Sequence, residues 1–165
     1  MFKVDSKWIF SPIYIVNCKI PFTIIPNGIN PEKFQLDADF NKDTDVVLYF
    51  GTLIRKKGLL ELPLIFNEVI AQRPQTKLVL VGRDSSDVLT GQSSTWKMMQ
   101  SLFTQAALQQ VAYLGSIPYT EIQSKIEQAT LCVFPSFAEA CPVSWIEAMA
   151  MQKPIVASNI GWAKE

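Results

Sequence analysis

Histidine is absent from this 165-residue chain. That excludes an imidazole base, any Ser-His or Cys-His nucleophilic pair, and every His-liganded metal centre formed by this chain alone. Cysteine is scarce: Cys18, Cys132 and Cys141 are an odd number without metal-ligand spacing. Cys132 lies in an apolar run, where a thiol packs as a small hydrophobe. A reduced, cytoplasmic setting is the simplest reading of that usage. Excess charge is missing too, since 15 Lys and Arg balance 15 Asp and Glu. A neutral chain offers no electrostatic case for nucleic acid, and any basic site must be local. Long apolar runs are lacking: Trp8 to Val16 is short and broken by Ser11 and Pro12. It has neither the length of a membrane span nor a small-residue cleavage pattern beside it. The chain reads as soluble, with peripheral membrane contact left open. Its few glycines form neither Gly-x-Gly-x-x-Gly nor Gly-x-x-x-x-Gly-Lys-Ser/Thr, so those two phosphate loops are excluded.

What is present is a hydrophobic content of 48% against 18% charged residues, enough for a buried core and too apolar for disorder. From residue 46 onward, short apolar runs alternate with helical patterns. Val46 to Phe50, Lys77 to Val81, Val111 to Leu114, Leu131 to Phe134 and Pro154 to Ala157 are each too short for a helix. Their near-continuous hydrophobicity predicts strands buried on both faces. Three of them end in glycine, which suits a tight turn or backbone close to a ligand.

Between them, Leu62, Ile65, Phe66, Val69 and Ile70 follow helical spacing, with Pro63 tolerable in a first turn. Trp96 to Leu108 predicts a second helix with Met99, Leu102, Phe103 and Ala106 on one side. Ile122, Ile126 and Ala129 mark a third, started at Pro118, and Pro142 to Met151 a fourth. Strand-helix alternation of this kind predicts an α/β fold, a Rossmann-like doubly wound parallel sheet.

Residues 1–45 read as a lead-in segment, with a strand-like Phe22 to Ile25, a turn at Pro26-Asn27-Gly28 and a polar loop from Asp37 to Asp45. Residues 46–165 form the domain proper. With no helix after the fifth strand, the domain is expected to be truncated at its C-terminus.

In such sheets ligands bind beyond the carboxyl ends of the strands. The expected edge comprises Thr52 to Gly58, Arg83 to Asp87, Ser116 to Tyr119 and Ser136 to Pro142. The polar loop from Arg83 to Thr95 is expected to be the loosest of these connections. Arg55-Lys56-Lys57-Gly58 places cations beside a helix start, a plausible clamp for a diphosphate. Taken alone, that motif equally fits a solvated basic turn.

Glu139 falls in the loop after the fourth strand and Glu147 in the second turn of the helix that follows. Glu147 is the only formal charge between Ala140 and Gln152, and a carboxylate among apolar neighbours is costly unless something binds it. It could accept hydrogen bonds from a vicinal diol such as a ribose, with the amides of Cys141 and Val143 facing phosphate. A pairing of Glu147 with Lys153 and an exposed Glu139 fit the spacing as well.

Ile25-Pro-Asn-Gly-Ile-Asn, Leu48-Tyr-Phe-Gly-Thr-Leu-Ile-Arg-Lys-Lys-Gly, Leu78-Val-Leu-Val-Gly, Phe134-Pro-Ser-Phe-Ala-Glu, Glu147-Ala-Met-Ala and Pro154-Ile-Val-Ala-Ser occur in that order. From about Ile24 to Gly161 the series resembles the donor-binding, C-terminal half of family-4 retaining glycosyltransferases of the GT-B fold.

The resemblance implies a nucleotide sugar (UDP-, GDP- or ADP-linked) bound between two Rossmann-like domains, with no cofactor and no metal. It implies transfer with retention to a glycan or lipid-linked acceptor held by a further, N-terminal domain, so that this chain alone would transfer nothing. By position, Lys57 matches the lysine on the donor diphosphate, Glu147 the glutamate on the ribose, and Glu139 the one beside the transferred sugar. Lys57 and Glu139 are therefore the implied catalytic groups. Gly82, Arg83, Ile117 and Pro118 correspond to walls of the base pocket.

Two positions depart from the family pattern. Thr52 stands where arginine is usual, with Arg55 as a substitute for that charge, and Ala140 and Pro142 replace glycines. They keep open a non-catalytic nucleotide-binding module beside the enzyme. A GT-B sugar-nucleotide epimerase is another alternative. A phosphorylase would need a pyridoxal-phosphate lysine context that is not evident here.

Overall fold

The computed structural model describes residues 27–34 and 45–160. Cys18, the Trp8 to Val16 run, the Phe22 to Ile25 strand and nearly all of the Asp37 to Asp45 loop lie outside the described residues.

Five strands appear where apolar runs predict them: β1 (Val46–Phe50), β2 (Lys77–Val81), β3 (Val111–Tyr113), β4 (Leu131–Phe134) and β5 (Ile155–Ala157). All pair in parallel, in the order β3-β2-β1-β4-β5. β1 is central because its β-branched and aromatic residues can be covered on both faces; Leu48, Tyr49 and Phe50 are nearly inaccessible to solvent. The edges differ from expectation. β5 has one strand neighbour, and Val156 is 55% exposed, so hydrophobicity alone did not reveal its place in the sheet.

α1 (Leu62–Gln72) follows β1, α2 (Thr95–Gln100) and α3 (Gln105–Leu108) follow β2, α4 (Tyr119–Gln128) follows β3, and α5 (Val143–Ala150) follows β4. The first three belong to connections running toward one edge of the sheet, the last two to connections running toward the other. Right-handed crossovers therefore set the two groups on opposite faces, and α1 packs on α2 and α3. The expected single helix from Trp96 to Leu108 is in fact two. Asn67 of α1 explains the break: its amide donates to Leu102 O at 3.0 Å, and its carbonyl oxygen accepts from Thr104 N at 2.9 Å. Thr104 then caps α3 by accepting from Ala107 N. The break turns Leu102 and Ala106 outward and buries Ala107 in their place.

Order reverses at β1, since β2 and β3 lie on one side of it and β4 and β5 on the other. The crevice at the carboxyl ends of β1 and β4 is thus the switch point, where open α/β sheets present their binding sites. An aromatic group in the core ties the two strand ends to α5. Phe134 stacks on Trp145 of α5 (centroids 5.8 Å apart) and meets Phe50 edge-on at 5.4 Å. Trp145, Ala148 and Met151 are buried, which fixes α5 against the sheet and with it the position of Glu147.

Candidate functional site

The chain leaves β1 through a single 3-10 turn, Arg55–Lys57, closed by Gly58 in the left-handed region (φ 70°). At three residues per turn, successive side chains diverge in three directions. Arg55 points toward the β2–α2 loop, Lys56 is exposed, and Lys57 turns to the switch-point crevice. The turn rests directly on the loop after β4: Phe137 N donates to Lys56 O at 2.9 Å. A Cβ at residue 58 would lie 1.9 Å from Pro135 O. Only glycine permits that approach, which brings Lys57 Nζ to 3.4 Å from Glu139 Oε1. Buried Ser136 holds the same carboxylate by donating from Oγ at 2.9 Å. Glu139 is therefore a braced group, 14% exposed in its side chain, and not a free surface charge.

The chain enters α5 through Cys141, whose φ of 53° is unusual for a non-glycine residue, and Pro142, the N-cap. Asn27 braces this turn by donating from Nδ2 to Cys141 O at 3.0 Å. The first amides of a helix have no intrahelical acceptor; Val143 and Ser144, which carry those of α5, line the crevice.

Glu147, one turn on, is 4% exposed. Tyr119 Oη, from the first residue of α4, donates to its Oε1 at 2.5 Å. Burial pushes the Glu147 carboxyl upward, against the opposing pull of the Tyr119 bond. The Tyr119 phenol, desolvated and bound to that carboxylate, is pushed up to about 12. Lys153, offered by spacing as a partner for Glu147, donates instead to the carbonyls of Glu127 and Ala129.

One crevice of about 480 Å³ gathers Asn27, Gly51, Thr52, Lys57, Tyr119, Glu139, Cys141, Val143 and Glu147 along its walls. Of the residues singled out from sequence, Lys57, Glu139, Cys141, Val143 and Glu147 meet there. Arg55 does not, and this corrects the expectation that it supplies the charge missing at Thr52. It makes a two-pronged bond to Asp87, Nε to Oδ1 and Nη2 to Oδ2, both 2.8 Å. Asp87 is 3% exposed, and a planar guanidinium is the group best shaped to match a sequestered carboxylate.

Gly82 and Arg83 stand outside the crevice as well. A Cβ on Gly82 would come 1.9 Å from Gly51 O, so its glycine serves strand-to-strand approach. Ile117 and Pro118 do not line the crevice either, but Pro118 is the N-cap of α4 and sets Tyr119 at its edge. Tyr119 and Ser136 fell within the edge expected from sequence and Asn27 within its predicted turn, but none of the three was singled out there as a site residue. Tyr119 had one available signal, its place directly after a helix-starting proline. The β2–α2 loop, expected to be the loosest, carries bonds of its own. Asp84 accepts from Ser94 Oγ at 2.5 Å and Trp96 N at 3.0 Å, and Thr90 bonds Asp87. These bonds cross-brace it.

The Arg55–Asp87 pair gives a stability prediction. The guanidinium bond, followed by that from Thr90, holds the Asp87 carboxyl well below the ordinary range. A depressed folded value means that the native state binds fewer protons than the unfolded chain. The stabilisation is present above about pH 4, the ordinary aspartate value, and is lost as pH falls toward the folded one. Asp87→Asn is expected to lower the Tm by several degrees at pH 7, with the gap to the parent narrowing steadily below pH 4. A gap that stays constant in thermal melts from pH 7 to pH 3 would show that the pair contributes nothing electrostatic.

A doubly wound parallel domain thus brings one cation, two carboxylates and a helix start to its switch point, where open α/β sheets bind their ligands. Residues 31–165 match the family described as Glycosyl transferases group 1. The chain belongs to that family. Its fold is that of the C-terminal half of a GT-B glycosyltransferase. Sucrose-phosphate synthase from Thermosynechococcus elongatus superposes with a TM-score of 0.66 at 32% identity, over 83% of this chain and 35% of that one. Anabaena HepE, solved in complex with UDP and glucose, gives 0.64 and 25% over 84% and 38%. Glycogen synthase of Mycobacterium tuberculosis is 26% identical over 140 residues, 84% of this chain and 32% of that protein. The chain spans about a third of the length of the curated relatives it matches. Among the described residues, no helix is long and apolar enough to cross a membrane.

Proposed function

We propose that this chain is the donor-binding domain of a family-4 glycosyltransferase acting with retention, in which residues 46–165 form the domain and residues 1–45 lead into it. The observation that carries the reading is the buried carboxylate of Glu147, facing the same crevice as Lys57 and Glu139 at the switch point. A sequestered carboxylate with a cation across the crevice suits a ligand that is hydroxylated at one end and anionic at its middle. A nucleotide sugar has that pattern, and HepE, a relative of like fold, was solved with UDP and glucose.

Glu147 takes the ribose in this proposal, and the first amides of α5 together with Lys57 take the diphosphate. Glu139, held by Ser136, orients the transferred sugar. Lys57 and the α5 start stabilise negative charge as the nucleoside diphosphate departs, and no metal is required of this chain's residues. The acceptor, a glycan or lipid-linked sugar, is held by an N-terminal domain, so this chain alone binds donor weakly and transfers nothing. Cytoplasmic activity, with peripheral contact at the inner membrane face, completes the proposal.

Titration with UDP, GDP and ADP by calorimetry or ligand-observed NMR tests it. One of the three is expected to bind at millimolar concentration or below. Glu147→Ala is expected to weaken that nucleotide roughly 10-fold or more, the loss of a charge-assisted bond. Binding by none of the three, with Glu147→Ala indistinguishable from the parent, rules the donor site out.

A further inference from the structure

One acceptor site of the Glu147 carboxylate is already taken from within the fold. Oε1 already accepts the hydroxyl of Tyr119 at 2.5 Å. The ring of Tyr119 also meets the buried ring of Phe34 edge-on at 6.0 Å. The phenol has used its one proton on Glu147 and keeps its lone pairs as acceptors. The Oη and the carboxylate thus present two hydrogen-bond acceptors side by side on one wall of the crevice. The two hydroxyls of a cis-diol are themselves neighbours, and each carries a proton to donate.

We infer that Tyr119 is a second recognition point for the diol: one sugar hydroxyl donates to Glu147 Oε2 and its neighbour donates to Tyr119 Oη. The pair then reads the ligand as a ribonucleotide, and loss of either hydroxyl leaves one acceptor without a donor. This rests on the donor-site reading of Glu147 and adds to it the residue that makes recognition two-pointed. Tyr119 is a specificity-determining residue here and takes no part in bond making.

The test compares UDP, 2′-deoxy-UDP and 3′-deoxy-UDP on the chain and on Tyr119→Phe, which keeps the ring against Phe34 and removes only the hydroxyl. In the parent, each deoxynucleotide should bind more weakly than UDP, by roughly 3- to 10-fold for the hydroxyl facing Tyr119. In Tyr119→Phe, that penalty should fall to about 1-fold while the other persists. A packing role alone would move all three affinities together, so both penalties surviving unchanged overturns the inference. Tighter UDP binding by Tyr119→Phe also overturns it, and makes Tyr119 a plug on Glu147. A parent that binds neither UDP nor its deoxy forms, GDP or ADP sinks the donor reading itself, and this inference with it. An unchanged Tm for Tyr119→Phe keeps the comparison free of misfolding.

Discussion

Gly58→Ala is expected to lose about 3 kcal/mol or more of stability, read as a fall of roughly 10 °C in Tm. Two separate costs add at this position. Its φ of 70° is left-handed, a conformation that penalises any Cβ. The Cβ would also stand 1.9 Å from Pro135 O, a backbone atom that no rotamer change can move away. The turn must therefore lift from the β4 loop, and the bond from Phe137 N to Lys56 O stretches with it. Nucleotide binding should weaken in the same variant even well below its melting temperature, because lifting the turn carries Lys57 away from Glu139. Thermal melts with a parallel nucleotide titration check both effects, and a Tm within 2 °C of the parent would refute the close-approach argument.

Lys57→Met should weaken nucleoside diphosphate binding by about 10- to 100-fold and leave binding of the corresponding nucleoside nearly unchanged. Methionine keeps the apolar stem and removes the charge, so packing at the crevice wall is spared. The loss exceeds that of one charge-assisted bond, because Glu139, 3.4 Å from the ammonium in the parent, would then face the diphosphate without its counter-ion. On the proposal that this chain is the donor-binding domain of a transferase, transfer by that enzyme should fall roughly 100-fold or more if the charge acts on the departing diphosphate. Equal weakening of nucleoside and diphosphate would place Lys57 in general packing. A diphosphate affinity that does not change would remove it from the site.

The sequence was most informative where covalent neighbours decide the outcome. Strand runs such as Val46–Phe50 and Lys77–Val81 match to the residue, since a short apolar run between turn signals has few other ways to be buried. The start of α4 after Pro118 and the start of α5 after Pro142 were legible for the same reason. Where a distant residue intervenes, legibility ends. Periodicity carried a helix through Leu102 and Phe103, because Asn67, more than thirty residues earlier, gives no local sign that it will bond both sides of a break.

The crevice divides along the same line. Order of elements and the isolated charge of Glu147 pointed to one edge of a parallel sheet, and that much was written in local pattern and spacing. Which cation turns toward that edge was not. Local pattern does not separate Arg55 from Lys57, and only the family resemblance singled out Lys57; the tight turn sends Arg55 to buried Asp87 and Lys57 to Glu139. Tyr119 reaches Glu147 across 28 residues only because the fold brings the start of α4 beside α5. Hydrophobic pattern depends on a few adjacent residues and survives in one dimension. Side-chain partnership depends on three-dimensional approach between strands and helices far apart in the chain, and only the folded arrangement selects among partners of equal chemistry.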